Sequence, residues 1–227
     1  MKTLMLLSGG LDSTCFMMMQ EGEVEAMCFD YGQRNRIELA SAINICNKLS
    51  IPKRIIHLES LVDFWEGLQI TDKDVEVKSN YDPSIVVPLR NGIFLMIAMA
   101  YAYQNGFDKI ALGCEAGDLK VFNHGDHEEV YYPDCSNLFM SLMQKTCSRG
   151  VFKCIKPVRI DTPAMHYWTK VDLIKMAYKP HSNLIFKSWS CYANDEPPQC
   201  GKCKACLNRQ KAFEMAGITD RTEYVQS

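Results

Sequence analysis

Short apolar runs alternate with segments of helical spacing from the first residues onward. Residues 2–8, KTLMLLS, form a run of strand length bounded by Gly9 and Gly10, which predicts a buried strand. Residues 11–20 hold neither proline nor glycine and are compatible with a helix. A second strand is expected in EVEAMCFDYG at 23–32. In 34–49 the apolar residues fall at 37, 39, 42, 43, 45, 46 and 49, close to helical period, and Pro52 closes that helix. KRIIHLE at 53–59 predicts a third strand, and 60–87 predicts an acidic connector without period. Residues 90–106 are apolar nearly all round, which predicts a buried helix ended by Gly106. A fourth strand is expected in DKIALGCE at 108–115, a polar loop over 116–135 and a helix over 136–149. Pro157 makes 152–160 extended. Thr169-Lys170-Val171-Asp172 resembles a capping box with Asp in place of Glu and predicts a helix to Tyr178. A last short helix over 207–215 ends at Gly217.

This alternation predicts an α/β fold, a doubly wound parallel sheet with helices on both faces. The expected division is an α/β domain over 1–185 and a small C-terminal metal-binding lobe over 186–227 packed on it. The formal charge of −2 implies no overall attraction to nucleic acid or to an anionic membrane. The longest apolar stretches are far short of a bilayer span, and the first strand is followed by no small-residue cleavage site. Eleven cysteines is a high and odd count, and four of them crowd into 191–206. Clustered cysteines beside scattered single ones fit a reducing compartment and a metal, so a cytoplasmic protein is expected.

The string Ser8-Gly9-Gly10-Leu11-Asp12-Ser13 sits where a doubly wound sheet binds ligands, beyond the carboxyl end of a strand. Glycines let backbone N–H groups approach a phosphate, and the next helix adds partial positive charge. Ser8 and Ser13 can donate hydroxyl hydrogen bonds. Asp12, itself anionic, suits Mg²⁺, which in turn grips phosphates. A Walker loop would end in Gly-Lys-Ser/Thr, which is absent. The string resembles instead the pyrophosphatase loop of ATP enzymes that transfer AMP to an acyl or carbonyl oxygen. Such a loop holds the leaving pyrophosphate while an oxygen attacks the α-phosphate.

Cys191, Cys200, Cys203 and Cys206 follow the pattern C-x8-C-x2-C-x2-C. Four thiolates suit a closed, structural zinc site, and an iron–sulfur cluster is the open alternative. The cysteines at 15, 28, 46, 114, 135, 147 and 154 are expected to pack in the core. Lysines and arginines around the cluster read as a solvated surface rather than a nucleic-acid site.

Loop and cluster together resemble the 7-cyano-7-deazaguanine synthase family of PP-loop ATP pyrophosphatases. FDYGQRNR at 29–36, VVPLRNGIFL at 86–95, YPDC at 132–135, SWSCY at 188–192, CGKCKACLNRQKAF at 200–213 and AGITD at 216–220 extend the match over nearly the whole chain. The resemblance implies a Rossmann-like sheet of the adenine nucleotide α-hydrolase type and a place in queuosine biosynthesis. It implies an ATP-dependent ligase that adenylates the carboxylate of 7-carboxy-7-deazaguanine. Ammonia then displaces AMP to give the amide, and a second ATP converts the amide to the nitrile. ATP, Mg²⁺ and Zn²⁺ are the implied cofactors. The implied partners are small molecules and a second copy of the chain in a homodimer, with neither membrane nor nucleic acid as a direct substrate.

By the same resemblance Leu7, Ser8, Gly9, Gly10, Leu11, Asp12, Ser13 and Thr14 hold pyrophosphate and Mg²⁺. Tyr31, Gln33, Arg34 and Asn91 lie near the nucleotide, and Arg90 faces the site from the same helix start as Asn91. Asp134 binds substrate or assists proton transfer. Trp189 and Tyr192 either stack on the flat ring or pack against the metal knuckle. Lys170 opens a helix and either reaches phosphate as a catalytic group or is a solvated lysine. Three features depart from the family pattern. Asn35 stands in place of a His, so an acid–base role there is lost. Leu89 stands in place of a Gly. The segment 115–132 is longer, and its His124, Asp126, His127, Glu128 and Glu129 either hold a second metal or form a solvated loop. These departures keep two other readings open: a ligase that joins the deazaguanine acid to another amine, on a protein or nucleic acid, and a tRNA-modifying relative with the same loop.

Overall fold

The computed structural model describes residues 1–72, 74–77, 83–124, 127–130, 132–179 and 182–225, with the backbone alone at 83, 121–124 and 127–130. Five strands form one parallel sheet in the order β3-β2-β1-β4-β7. In chain order these are β1 (Lys2–Leu6), β2 (Glu23–Asp30), β3 (Lys53–His57), β4 (Lys109–Leu112) and β7 (Arg159–Asp161). The helices are α1 (Leu11–Met18), α2 (Ile37–Leu49), α3 (Arg90–Gln104), α4 (Asn137–Gly150), α5 (Lys170–Ala177) and α6 (Lys204–Ala216).

The two-residue period of the strands divides the core. Leu4, Leu6, Met27 and Phe29 pack against Leu95, Ala98 and Met99 of α3 and Met140 of α4. Met5, Leu7, Ala26 and Cys28 face the other way, onto α1, α2, α5 and α6. The expected sheet and its two covered faces are therefore present. β1 pairs with β2 on one side and β4 on the other, both in parallel register. The chain winds outward from β1 to β3 and then returns across the sheet to β4. Loops leaving β1 and β4 thus diverge, and a crevice opens between them at the carboxyl edge.

Several expectations are corrected. The segment 116–135 is more than a loop. It contains a 3₁₀ turn, Ala116–Leu119, and an antiparallel hairpin of β5 (Val121–His124) and β6 (His127–Val130), with His124 opposite His127. The Gly-Asp pair between these strands was the hairpin signal, and polar flanks masked it. Helix α3 is buried along one stripe, Gly92, Leu95, Ala98, Met99 and Ala102, while Met96 is half-exposed. Its other apolar residues cover the core edge. The extended stretch at 152–160 shortens to β7, because Lys153 turns into the left-handed region. Helix α6 begins at Lys204 rather than 207, directly after the extended Cys203. The capping box at Thr169 forms as expected: Thr169 N–H donates to Asp172 Oδ2 at 2.9 Å, so Asp reaches far enough to replace Glu. Of the seven scattered cysteines six are buried and Cys154 is half-buried.

Two glycines press the phosphate-loop candidate into place. Gly9 has φ +92°, and a Cβ there would sit 2.0 Å from the Glu38 carbonyl oxygen of α2. Gly113, just past β4, lies so close to α1 that a Cβ would meet Ser13 N at 2.6 Å. Gly9→Ala therefore combines left-handed strain of about 1–2 kcal/mol with a backbone overlap that only movement of α2 relieves. Thermal unfolding is expected to show a melting temperature lowered by roughly 5–10 °C. An unchanged melting temperature would show that the loop does not press on α2.

Candidate active site

Asp12 lies in the first turn of α1, at the crevice between the β1 and β4 loops. Lys170, the first residue of α5, is brought over it by the capped helix start, and its Nζ donates to Asp12 Oδ2. Both side chains are three-quarters buried. The second carboxylate oxygen, Asp12 Oδ1, is buried with no hydrogen-bond partner. Lys170 is therefore not a solvated lysine. Burial works against its ammonium, but Asp12 and Glu115 outweigh that and hold its pKa above the ordinary value.

Glu115 and Asp118 close the cluster from the β4 side. Glu115 accepts from Gly117 N at 2.5 Å and from Lys170 N at 3.2 Å. Asp118 Oδ2 accepts from Glu115 N at 2.9 Å. Burial, reinforced by the charges of Asp12 and Glu115, pushes the Asp118 carboxyl up to about 7. Burial likewise raises Glu115, with Lys170 opposing. Three carboxylates thus share one ammonium.

The loop beside them is ordered by its own hydroxyls. Ser8 Oγ lies 2.9 Å from Ser13 Oγ and accepts from Gly10 N at 3.1 Å. The first helical bond of α1 runs from Thr14 N to Gly10 O, so the N–H groups of Leu11, Asp12 and Ser13 fall in the unpaired first turn.

A second group of side chains meets beside the loop after β2. Arg90 Nη1 donates to Tyr31 Oη at 3.3 Å. Asp134 Oδ2 accepts from Asn91 N at 3.1 Å. Burial works against the Arg90 guanidinium, yet Tyr31, Asp134 and Tyr192 keep it firmly charged. Burial pushes Glu38 up to about 7 against the pull of Arg90. It also raises Asp134, opposed by the Asn91 N–H and by Arg90. The Tyr192 phenol is pushed well up by burial, with Tyr132 and Glu38 adding to it.

The sulfur atoms of Cys191, Cys200, Cys203 and Cys206 lie within 4.8 Å of one another and all four residues are buried. This lobe backs directly onto the phosphate loop. Trp189 N donates to Gly9 O at 2.9 Å, and Asn35 Nδ2 donates to Cys191 O at 2.8 Å. Arg209, 1% exposed, ties α6 to Ser188 Oγ at 2.8 Å and to Ile185 O at 3.0 Å.

The family model for "Queuosine biosynthesis protein QueC" matches residues 2–217. The chain belongs to the QueC family. Relatives named 7-cyano-7-deazaguanine synthase include one from Thermoplasma acidophilum, 34% identical over 98% of this chain and 92% of its own. One from Nautilia profundicola is 35% identical, and one from Methanoregula boonei is 36% identical, each over 99% of both chains. QueC relatives are thus enzymes of nearly the same length as this chain. Among the described residues no helix is long and apolar enough to cross a membrane.

Within this QueC-family fold the expected site residues divide. Asp12, Ser8, Ser13, Gly9, Gly10 and Lys170 meet around the crevice, and Tyr31, Arg90, Asn91, Asp134 and Tyr192 form the neighbouring group. Others are spent on structure. Leu7 and Leu11 are buried in the core, the Thr14 hydroxyl donates to Gly10 O at 2.8 Å, and the N–H groups of Leu7 and Thr14 are bonded to Met27 O and Gly10 O, so what this set offers a ligand is the Leu11 N–H. Gln33 Oε1 accepts from Tyr31 N and its Nε2 donates to Phe29 O, which fixes the turn after β2. The Arg34 guanidinium is held by the carbonyls of Val75, Gln69 and Asp72 in the connector. Trp189 is 6% exposed and its indole N–H donates to Cys191 O, leaving little ring surface for a base. Asn35 anchors the cysteine lobe. Leu89 adopts the left-handed φ 55° and its side chain is exposed. Asp126 lies outside the described residues, as do the side chains of His124, His127, Glu128 and Glu129.

No sequence motif marks Glu115, Asp118 or Glu38. The first two follow β4 directly, where a doubly wound sheet places its site, and that position was their signal. Glu38 carried no local signal beyond a place in a helical first turn.

A carboxyl whose folded pKa exceeds its unfolded value costs stability as pH rises between the two. For Asp118 that window runs from about 4 to about 7, the first being the ordinary aspartate value. Asp118→Asn keeps the acceptor for Glu115 N and removes the charge. In magnesium-free buffer its melting temperature relative to the parent protein is expected to be several degrees higher at pH 8 than at pH 5. An equal offset at both pH values would place Asp118 in a solvated setting.

Proposed function

We propose that this protein adenylates the carboxylate of 7-carboxy-7-deazaguanine with ATP and uses ammonia to carry it through the amide to 7-cyano-7-deazaguanine. Membership of the QueC family and the names of its relatives support this reading. The observation that carries it is Asp12, with one oxygen on Lys170 and the other buried and unpartnered, at the first turn after Ser8-Gly9-Gly10. A triphosphate could not approach three carboxylates unaided, and an orphaned carboxylate oxygen beside such a loop fits a divalent cation. Mg²⁺ held there by Asp12, with Glu115 and Asp118 at hand, would neutralise phosphate charge and draw electrons from the α-phosphorus.

The chain's own groups take the remaining tasks. The unpaired N–H groups of the α1 first turn and the hydroxyls of Ser8 and Ser13 receive the pyrophosphate. Lys170 supplies a fixed positive charge as that group leaves. Arg90 holds a second positive charge beside Tyr31 and Asp134, where a substrate carboxylate can be oriented toward the α-phosphate. Adenylation turns a poor leaving oxygen into AMP. Asn35 cannot titrate near neutrality and is engaged at Cys191, so proton transfer to and from the incoming ammonia falls to Asp134. Zinc fits the four sulfurs as a closed structural centre, which would hold Trp189 N–H against Gly9 O and so steady the phosphate loop.

Mass spectrometry of a reaction containing ATP, Mg²⁺, 7-carboxy-7-deazaguanine and ammonium is expected to show the free nitrile. Asp12→Ala is expected to slow ATP consumption by at least about 100-fold. That variant should still fold and hold one zinc per chain, with a melting temperature lowered by the loss of the ion pair to Lys170. A reaction that stops at the amide or the adenylate would replace the nitrile reading with transfer to another amine, and an active Asp12→Ala would remove the cation site.

A further inference from the structure

Two thiols far from the four-sulfur lobe meet beside the candidate active site. Cys114 follows β4 and Gly113, and Cys135 ends the 3₁₀ turn Pro133–Cys135, which also carries Asp134. The two Sγ atoms and a carboxylate oxygen of Asp118 all lie within 4.8 Å of one another. Asn91, at the start of α3, leans over the pair. Its Nδ2 donates to Cys135 Sγ at 3.4 Å and to Cys114 Sγ at 3.9 Å. Both cysteines are buried and pack in the apolar cluster on that face of the sheet. Packing alone asks for neither an amide on two sulfurs nor a carboxylate beside them.

The backbone that carries each of these groups is pinned. Ala164 N donates to Cys114 O at 2.9 Å, Cys135 N to Tyr132 O at 2.9 Å, and Glu115 N to Asp118 Oδ2 at 2.9 Å. The three donors are therefore assembled before any ligand arrives.

We propose that Cys114, Cys135 and Asp118 form a second metal site, with one open position, for a thiophilic divalent cation such as zinc. Two sulfurs and one oxygen select against magnesium, which takes an octahedron of oxygens. At Zn–S bonds of about 2.3 Å, tetrahedral ligand atoms stand about 3.5–3.8 Å apart, so side-chain movements of about 1 Å close the set. Each thiol gives up its proton to solvent as its sulfur binds the metal. The Asn91 amide then donates to coordinated sulfur, which orients the ligand and steadies its charge. Three protein ligands leave the fourth position to water or an incoming ligand, unlike the closed set of Cys191, Cys200, Cys203 and Cys206. Asp30, His57 and Glu59 also bring ligand atoms within 4.8 Å. That group holds no sulfur, His57 and Glu59 are exposed, and Arg36 Nη2 already stands 3.6 Å from Asp30 Oδ1.

The test uses neither ATP nor substrate, so its outcome is independent of the function proposed above. The intact protein is kept reduced with a phosphine, which prevents a disulfide between the pair, and is dialysed to equilibrium against zinc. Elemental analysis is expected to find one zinc fewer per chain in Cys114→Ser and in Cys135→Ser than in the parent. Melting transitions check that both variants fold. Cobalt added to the parent with zinc in its four-sulfur lobe is expected to give a sulfur-to-cobalt charge-transfer band, and the double variant is expected to lose it. A parent whose added cobalt shows no sulfur band overturns the proposal without recourse to a variant. So does a zinc count that both single variants keep, which would place the extra metal on Asp30, His57 and Glu59 or elsewhere on the surface.

Discussion

The ion pair between Asp12 and Lys170 is the contact on which the rest of the site depends. It joins the first helix of the sheet to the fifth, across a separation in sequence of 158 residues. It exists because the strand order reverses beside β1, so that the loop after β1 and the segments after β4 and β7 meet at one edge. The pair also sets the electrostatics. One ammonium faces Asp12, Glu115 and Asp118, and the unpartnered oxygen of Asp12 remains as a seat for further positive charge. A cluster built this way is stable without ligand and incomplete without it. The surplus negative charge lies in the crevice, while formal net charge over the chain is only −2.

The cysteine lobe serves that contact from behind. Its link to the loop is the backbone hydrogen bond from Trp189 N to Gly9 O, reinforced by Asn35 on Cys191 and Ser41 on Lys187. Gly9 is therefore held from two sides, by α2 through the Glu38 carbonyl and by the lobe through Trp189. Since the N–H groups of the loop must point into the crevice, a loose lobe would loosen them. A metal on the four sulfurs would stiffen the lobe and, through Trp189, the loop, without itself contributing a ligand to the crevice. The same lobe brings Tyr192 to the Arg90 group.

Much of this was legible in the residues themselves. The apolar runs in KTLMLLS and EVEAMCFDYG mark strands buried on both faces, and Gly-Gly followed by Asp-Ser marks a tight turn into a helix after the first of them. These signals are local: the strands are present at Lys2–Leu6 and Glu23–Asp30, and Gly9 makes its close approach to α2. What stayed hidden depends on partners far along the chain. Gln33 and Arg34 look like site residues in FDYGQRNR, but one is turned back onto Phe29 and Tyr31 and the other is captured by the connector around Val75. Trp189 beside a cysteine fits stacking or packing equally well until its indole is seen on the Cys191 carbonyl. Glu38 reads as an ordinary helix-start acid because nothing in its own turn reveals that Arg90, 52 residues on, shares its surroundings. The hairpin of β5 and β6 escaped because its strands lack apolar alternation, and Gly-Asp alone was the trace of it.

The central claim is that the loop after β1 holds the departing pyrophosphate while an oxygen of the substrate acid attacks the α-phosphate. Substrate labelled with ¹⁸O in both carboxylate oxygens tests it most directly, with the nucleotide products analysed by ³¹P NMR and mass spectrometry. The account predicts pyrophosphate and AMP as products, with one ¹⁸O atom in each AMP released. ADP and inorganic phosphate, or AMP free of label, would contradict it.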